Sequence, residues 1–99
     1  AEVASTAEVK IKKRIRKILE ESKTYFAMPM GTGYGNSGVP DFLVCHNGHF
    51  IGIEAKAGDG KTTALQDMNL QKIRDAGGKA LVVNEHNLSE LQELLDGKD

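Results

Sequence analysis

Asn47-Gly48 sits between two apolar runs, Phe42-Leu43-Val44-Cys45 and Phe50-Ile51-Gly52-Ile53, and no other feature of the chain constrains its fold as tightly. The favoured two-residue hairpin turn needs positive φ at both central residues, and Asn-Gly supplies that at little steric cost. Such a turn sets the register, because residues equidistant from it face each other. His46 then faces His49, Cys45 faces Phe50, Val44 faces Ile51, and Asp41 faces Glu54. A four-residue loop with the same centre gives the same register.

Side chains alternate faces along a strand. Asp41, Leu43, Cys45, Phe50, Gly52, Glu54 and Lys56 therefore share one face. Phe42, Val44, Ile51 and Ile53 share the other, which is almost wholly apolar and must be core. Pair types alternate outward from the turn, so Asp41 and Glu54 form a non-hydrogen-bonded pair, the closer kind. Their Cβ atoms should lie roughly 4.5–5.5 Å apart. Carboxylates placed opposite each other repel unless a cation sits between them. Mg²⁺ suits this arrangement, being a hard ion commonly held by one or two carboxylates plus phosphate oxygens. Lys56, two residues beyond Glu54, points the same way and can reach the attacking water or the phosphate. The plainer alternative is an edge-of-sheet ion pair in which Lys56 neutralises Glu54 or Asp41, a contact worth little. The register, the shared face and the surrounding glycines favour the metal site.

The rest of the chain frames this hairpin. Ile11, Ile15, Ile18 and Leu19 recur at helical spacing and predict a helix over about 6–22. Tyr25 to Met28 reads as a short strand ended by Pro29, followed by a glycine-rich loop with Gly31, Gly33, Gly35 and Gly38. After the polar loop Gly58–Thr62 a helix runs from about Ala64 to Ala76, capped by Thr63 and stopped by Gly77-Gly78. Ala80–Asn84 reads as a buried strand. Leu88–Leu95 reads as a last helix, with Ser89 or Asn87 near its start. The order helix, three strands, helix, strand, helix specifies one α/β domain over residues 1–99, with a mixed sheet and helices packed on it.

A chain of 99 residues buries only a modest core, so a partner subunit would help it. No apolar run approaches the ~18 residues of a membrane span, and no signal-peptide pattern opens the chain. The single cysteine, Cys45, cannot form an internal disulfide, which points to a reducing, cytoplasmic setting. A net charge of −1 argues against a nucleic-acid binder, but the distribution argues the other way. Lys10, Lys12, Lys13, Arg14, Arg16 and Lys17 crowd into the first helix, and Lys10, Arg14 and Lys17 share a stripe. Such a run is either a solvated helix face or a phosphate-contacting surface.

At this point the residues resemble a known family. Pro40-Asp41 followed by Glu54-Ala55-Lys56, on a hairpin after an N-terminal helix, resembles the PD-(D/E)XK nuclease superfamily. The fuller string runs Gly38-Val39-Pro40-Asp41-Phe42-Leu43, then Gly48-His49-Phe50-Ile51-Gly52-Ile53-Glu54-Ala55-Lys56. With Gln66 and Gly77-Gly78 it resembles the virus-type replication-repair nuclease (VRR-NUC) domain over about residues 8–95. The resemblance implies a restriction-endonuclease-like core ordered α-β-β-β-α-β-α. It implies an Mg²⁺- or Mn²⁺-dependent endonuclease of the stand-alone phage and bacterial type. Such an enzyme works as a homodimer on branched DNA, in the manner of Holliday junction resolvases. By position, Asp41 and Glu54 would be metal ligands, the backbone carbonyl of Ala55 a third, and Lys56 the group that positions or activates the water.

Two further residues carry a double reading. Family members often place an acidic residue of the first helix beside the metal; here that is Glu8, in register with Ile11 and Ile15. Glu8 is equally the N3 residue of a capping box, Ser5-Thr6-Ala7-Glu8. Gln66 would order the site from the helix behind the active-site strands, and Thr63-Ala64-Leu65-Gln66 is also a capping box. One departure stands out. Many members carry an arginine before the glycine-rich loop, where this chain has Phe26-Ala27-Met28-Pro29-Met30.

The remaining motifs are weaker. His46, His49 and Cys45 suggest zinc, but Cys45 points to the opposite face and no fourth ligand is near. Gly60-Lys61-Thr62 ends like a phosphate-binding P-loop, yet the first glycine would fall at Ala55. The GxGxxG match from Gly33 to Gly38 is followed by a strand and not a helix, so it fails as well. Lys61, near the exit of the catalytic strand, remains a phosphate contact, and Tyr34 at the loop tip could stack on an unpaired base. With Lys10, Lys13, Arg14 and Lys17 they make up the expected DNA-contacting set. The rival expectation is a non-catalytic nucleic-acid-binding module on the same fold. Binding alone has no need of opposed carboxylates.

Overall fold

A computed structural model describes residues 6–30 and 38–97. Seven elements follow in the order the sequence specifies, each bound within two residues of expectation. They are α1 (Thr6–Glu21), β1 (Tyr25–Ala27), β2 (Phe42–His46), β3 (His49–Ala55), α2 (Ala64–Asp75), β4 (Lys79–Val83) and α3 (Leu88–Leu95). The expected cap at Ser5 and the glycine-rich loop around Tyr34 lie outside the described residues.

The strands form one mixed sheet in the order β1-β2-β3-β4. β1 and β3 run antiparallel to β2, and β4 runs parallel to β3. The tight turn has Asn47 at φ 53° and Gly48 at φ 81°, the positive values Asn-Gly accepts. It pairs His46 with His49, Val44 with Ile51 and Phe42 with Ile53, which is the register read from the sequence. A parallel partner for β3 requires a crossover, and α2 provides it.

Helices cover both faces. On one side, Ile11, Ile15 and Leu19 of α1 and Leu91 and Leu95 of α3 close over Phe42, Val44, Ile51 and Ile53. On the other, α2 lies close to the sheet because Gly52 and Gly78 have no side chains. A Cβ at Gly52 would come within 2.6 Å of the Ile73 Cδ1, and one at Gly78 within 3.0 Å of the Phe50 carbonyl. β4 corrects one expectation. It is an edge strand, and Lys79, Ala80, Leu81 and Val82 are only half-buried, with Val83 alone fully enclosed. A run of β-branched and aliphatic residues reads the same at an edge as in the middle of a sheet.

Helix ends follow local rules. Gly78 N–H donates to Ile73 O at 2.9 Å and Gly77 N–H to Arg74 O at 3.0 Å, with Gly77 at φ 98°. That is a Schellman motif with glycine where the left-handed residue is needed. Asn87 occupies the start of α3, but its side chain serves β4: it donates to Val82 O at 2.9 Å and accepts from Asn84 N–H at 2.7 Å. α1 ends on the same six-residue motif, with Thr24 N–H donating to Leu19 O and Lys23 N–H to Glu20 O, each at 3.2 Å. Here the left-handed position is held by Lys23 at φ 57°. An L-residue there costs about 1 kcal/mol or more. Part of this is offset in a Lys23→Gly variant by the extra freedom glycine gives the unfolded chain. We expect the substitution to stabilise the fold by roughly 0.5–1 kcal/mol, a rise in Tm of a few degrees. Urea denaturation showing a loss of stability would contradict this reading of the α1 terminus.

Among the described residues no helix is long and apolar enough to cross a membrane.

Candidate active site

The end of the hairpin away from the turn gathers the polar residues. Asp41 stands immediately before β2, Glu54 near the end of β3, Lys56 just past it, and Gln66 in the first turn of α2. Glu54 is 3% exposed, and it is the one charged residue buried among those described. Its Oε2 accepts a hydrogen bond from Gln66 Nε2 at 3.0 Å and lies 3.9 Å from Lys56 Nζ. Asp41 Oδ2 accepts from the Ala55 N–H at 2.9 Å.

That last contact follows from the register. Continued past the start of β2, it sets Pro40 opposite Ala55, where a strand partner would exchange two hydrogen bonds. Pro40 has no N–H to offer the Ala55 carbonyl. Asp41 bends in to take the Ala55 N–H instead. Since N–H and C=O of a strand residue point to the same neighbour, the Ala55 carbonyl opens toward the Asp41 side.

Gln66 both caps α2 and reaches Glu54. Its N–H donates to Thr63 Oγ1 at 3.1 Å and its Oε1 accepts from Thr63 N–H at 2.9 Å, completing a capping box. The amide nitrogen left over is the one that reaches Glu54. The cap thus fixes the side chain whose other end orients the buried carboxylate.

Burial pushes the Glu54 carboxyl up from its ordinary 4.5 to about 8. The charge of Asp41 contributes to this rise, that of Glu8 adds a smaller part, and Lys56 opposes them. A buried carboxyl beside another carboxylate resists ionising unless positive charge is supplied. The donors on hand are the carboxylates of Asp41 and Glu54 and the Ala55 carbonyl. Among the described residues no group of three or more His, Cys, Asp or Glu side chains is arranged to hold an ion. Two carboxylates and one carbonyl form a hard oxygen set that leaves other positions to water and phosphate, which fits Mg²⁺ or Mn²⁺.

Glu8 reaches the site indirectly. Its Oε2 lies 4.0 Å from Lys12 Nζ, and Lys12 in turn lies 3.6 Å from Asp41 Oδ1. Lys12 is the functional candidate that the sequence reading left out. The signal was present: Lys12 is one turn from Glu8 and borders the Ile11–Ile15 stripe, so it shares the edge of α1 that meets the sheet. Lys10, Lys13, Arg14 and Lys17 are exposed, and the structure brings none of them to the carboxylates. Lys61 is exposed in the loop after β3, and Tyr34 lies outside the described residues. A second residue beyond sequence reasoning is Glu85. Both its carboxylate oxygens accept from Gly58 N–H at 3.0 Å, which lowers its pKa and ties the turn after Lys56 to the β4–α3 connection.

The two histidines stand at the other end of the hairpin. His46 Nε2 is 2.9 Å from the Leu95 carbonyl at the end of α3, and Cys45 is exposed.

No protein-family model matches the chain, and no curated protein matches it.

Proposed function

We propose that the protein is a metal-dependent DNA endonuclease with a PD-(D/E)XK core of the VRR-NUC type, acting on branched DNA as a homodimer. The single observation that carries this reading is the buried Glu54 set against Asp41, with Lys56 alongside. A pair of this kind is costly to maintain in a small domain unless a divalent ion makes use of it. Asp41, Glu54 and the Ala55 carbonyl would hold Mg²⁺ or Mn²⁺. When bound, such an ion polarises a phosphoryl oxygen and lowers the pKa of a water. Lys56 supplies positive charge on the same side of the sheet, where it orients the attacking water or stabilises charge developing on the phosphate. Gln66 keeps the Glu54 carboxylate aimed. The exposed basic residues Lys10, Lys13, Arg14 and Lys17, with Lys61, would contact the DNA backbone beyond the scissile phosphate. Two-fold pairing would present two active sites to the symmetry-related strands of a junction.

The test is a panel of labelled four-way junctions, flaps and linear duplexes, incubated with Mg²⁺, Mn²⁺ or EDTA, with light scattering on the same preparation. We expect metal-dependent nicking of both junction strands by a dimer, and none in EDTA. DNA binding without cleavage in either metal would leave a non-catalytic binding module. A strict monomer with no preference over linear duplex would overturn the branched-DNA and dimer parts.

A further inference from the structure

We infer that Lys12 is the resident cation of the metal-free site, holding Asp41 until a divalent ion displaces it, so that metal loading is an exchange and not a simple addition. This rests on the reading of Asp41 as a metal ligand. Asp41 has two carboxylate oxygens, and Oδ2 is committed to the Ala55 N–H. Oδ1 is the oxygen left to ligate, and the Lys12 ammonium stands 3.6 Å from it. The same ammonium lies 4.0 Å from Glu8, so it bridges two acidic groups at the mouth of the site. Glu54 has its own partners in Lys56 and Gln66, so Lys12 answers for Asp41 in particular.

The geometry is that of a replaceable partner. Charge-assisted N–H···O bonds close to about 2.7–2.9 Å, whereas both Lys12 contacts are ion pairs without that closeness. The Lys12 side chain is 35% exposed and attached to the rigid face of α1 by a flexible stem, so it can swing toward solvent without disturbing the core. Released, its charge would face an incoming phosphate. Metal and DNA binding should then favour one another, since a backbone phosphate gives Lys12 an alternative partner and frees Asp41 for the ion.

The experiment is Mn²⁺ titration by calorimetry without DNA, comparing wild type with Lys12→Met, Lys12→Arg and Lys13→Met. Lys13→Met removes the same charge from the same helix at an exposed position. Lys12→Met should bind Mn²⁺ roughly three- to ten-fold more tightly than wild type, the range expected for removing one partly exposed competing charge. Lys13→Met should stay within about two-fold, and Lys12→Arg should remain near wild type because it retains the competitor. Equal affinity for Lys12→Met and Lys13→Met, or weaker binding by Lys12→Met, would overturn the exchange while leaving the metal site intact. Absence of Mn²⁺ binding in wild type and all variants would overturn the metal reading itself, and the exchange with it.

Discussion

Glu54→Gln is expected to reduce metal-dependent cleavage by about 10³-fold or more while leaving the metal-free protein folded and, at pH 8, more stable than wild type. The two effects share a cause. Loss of a charged ligand removes the group that holds the ion beside the phosphate, and losses of this order follow from deleting a single stabilising group at a reacting centre. The same change removes a carboxyl that burial already disfavours in its charged form. The amide keeps an oxygen to accept from Gln66, so the link between β3 and α2 survives. Asp41→Asn should lose activity to a similar extent, and its remaining carbonyl oxygen can still accept the Ala55 N–H. Single-turnover assays on a labelled junction, with circular dichroism of both variants, would read this out. Activity within ten-fold of wild type in either variant would remove that residue from the metal site, and a collapsed spectrum would make it structural.

What the sequence makes legible is what local chemistry decides. Asn47-Gly48 sets φ at two residues, those set the register, and the register puts Asp41 and Glu54 at one end of one face before any tertiary contact is considered. The α2 boundaries follow from Thr63, Gln66 and Gly77-Gly78 in the same local way. The rest depends on which distant pieces of chain meet. Pattern alone places Glu54 opposite Asp41, but its near-complete burial arises because α2 seats against Gly52 and brings Gln66 over the carboxylate. Glu85 clamps Gly58 across 27 residues of chain, and no spacing rule anticipates that. Lys12 was hidden among neighbours of like charge: α1 carries six basic residues between Lys10 and Lys17, and only the angular position of Lys12 beside Glu8 distinguishes it. β4 read as interior because an apolar run carries no mark of whether a further strand lies beyond it.

Without metal, the protein is expected to lose stability steadily as pH rises from about 5 to about 8, a trend set by Glu54. Its carboxyl titrates near 4.5 when the chain is unfolded and near 8 in the fold. Between those values the native state holds a proton that the unfolded state has released. Stability therefore falls with increasing pH across this window: the contribution of protonated Glu54 is fully present below 4.5 and is lost as pH passes through about 8. One proton of linkage is worth at most about 1.4 kcal/mol per pH unit, or roughly 6–11 °C in Tm for a domain of this size. Other groups titrate in the same range, so the quantity to follow is the difference in Tm between wild type and Glu54→Gln, measured in EDTA from pH 5 to pH 8. That difference should grow in favour of the variant with every step upward. Saturating Mg²⁺ should reverse it, because an ion bound at Asp41 and Glu54 favours the charged carboxylate that wild type alone can provide. A pH trend unaffected by the substitution would mean that Glu54 is hydrated in solution, and the electrostatic argument for a cation between the two carboxylates would fall with it.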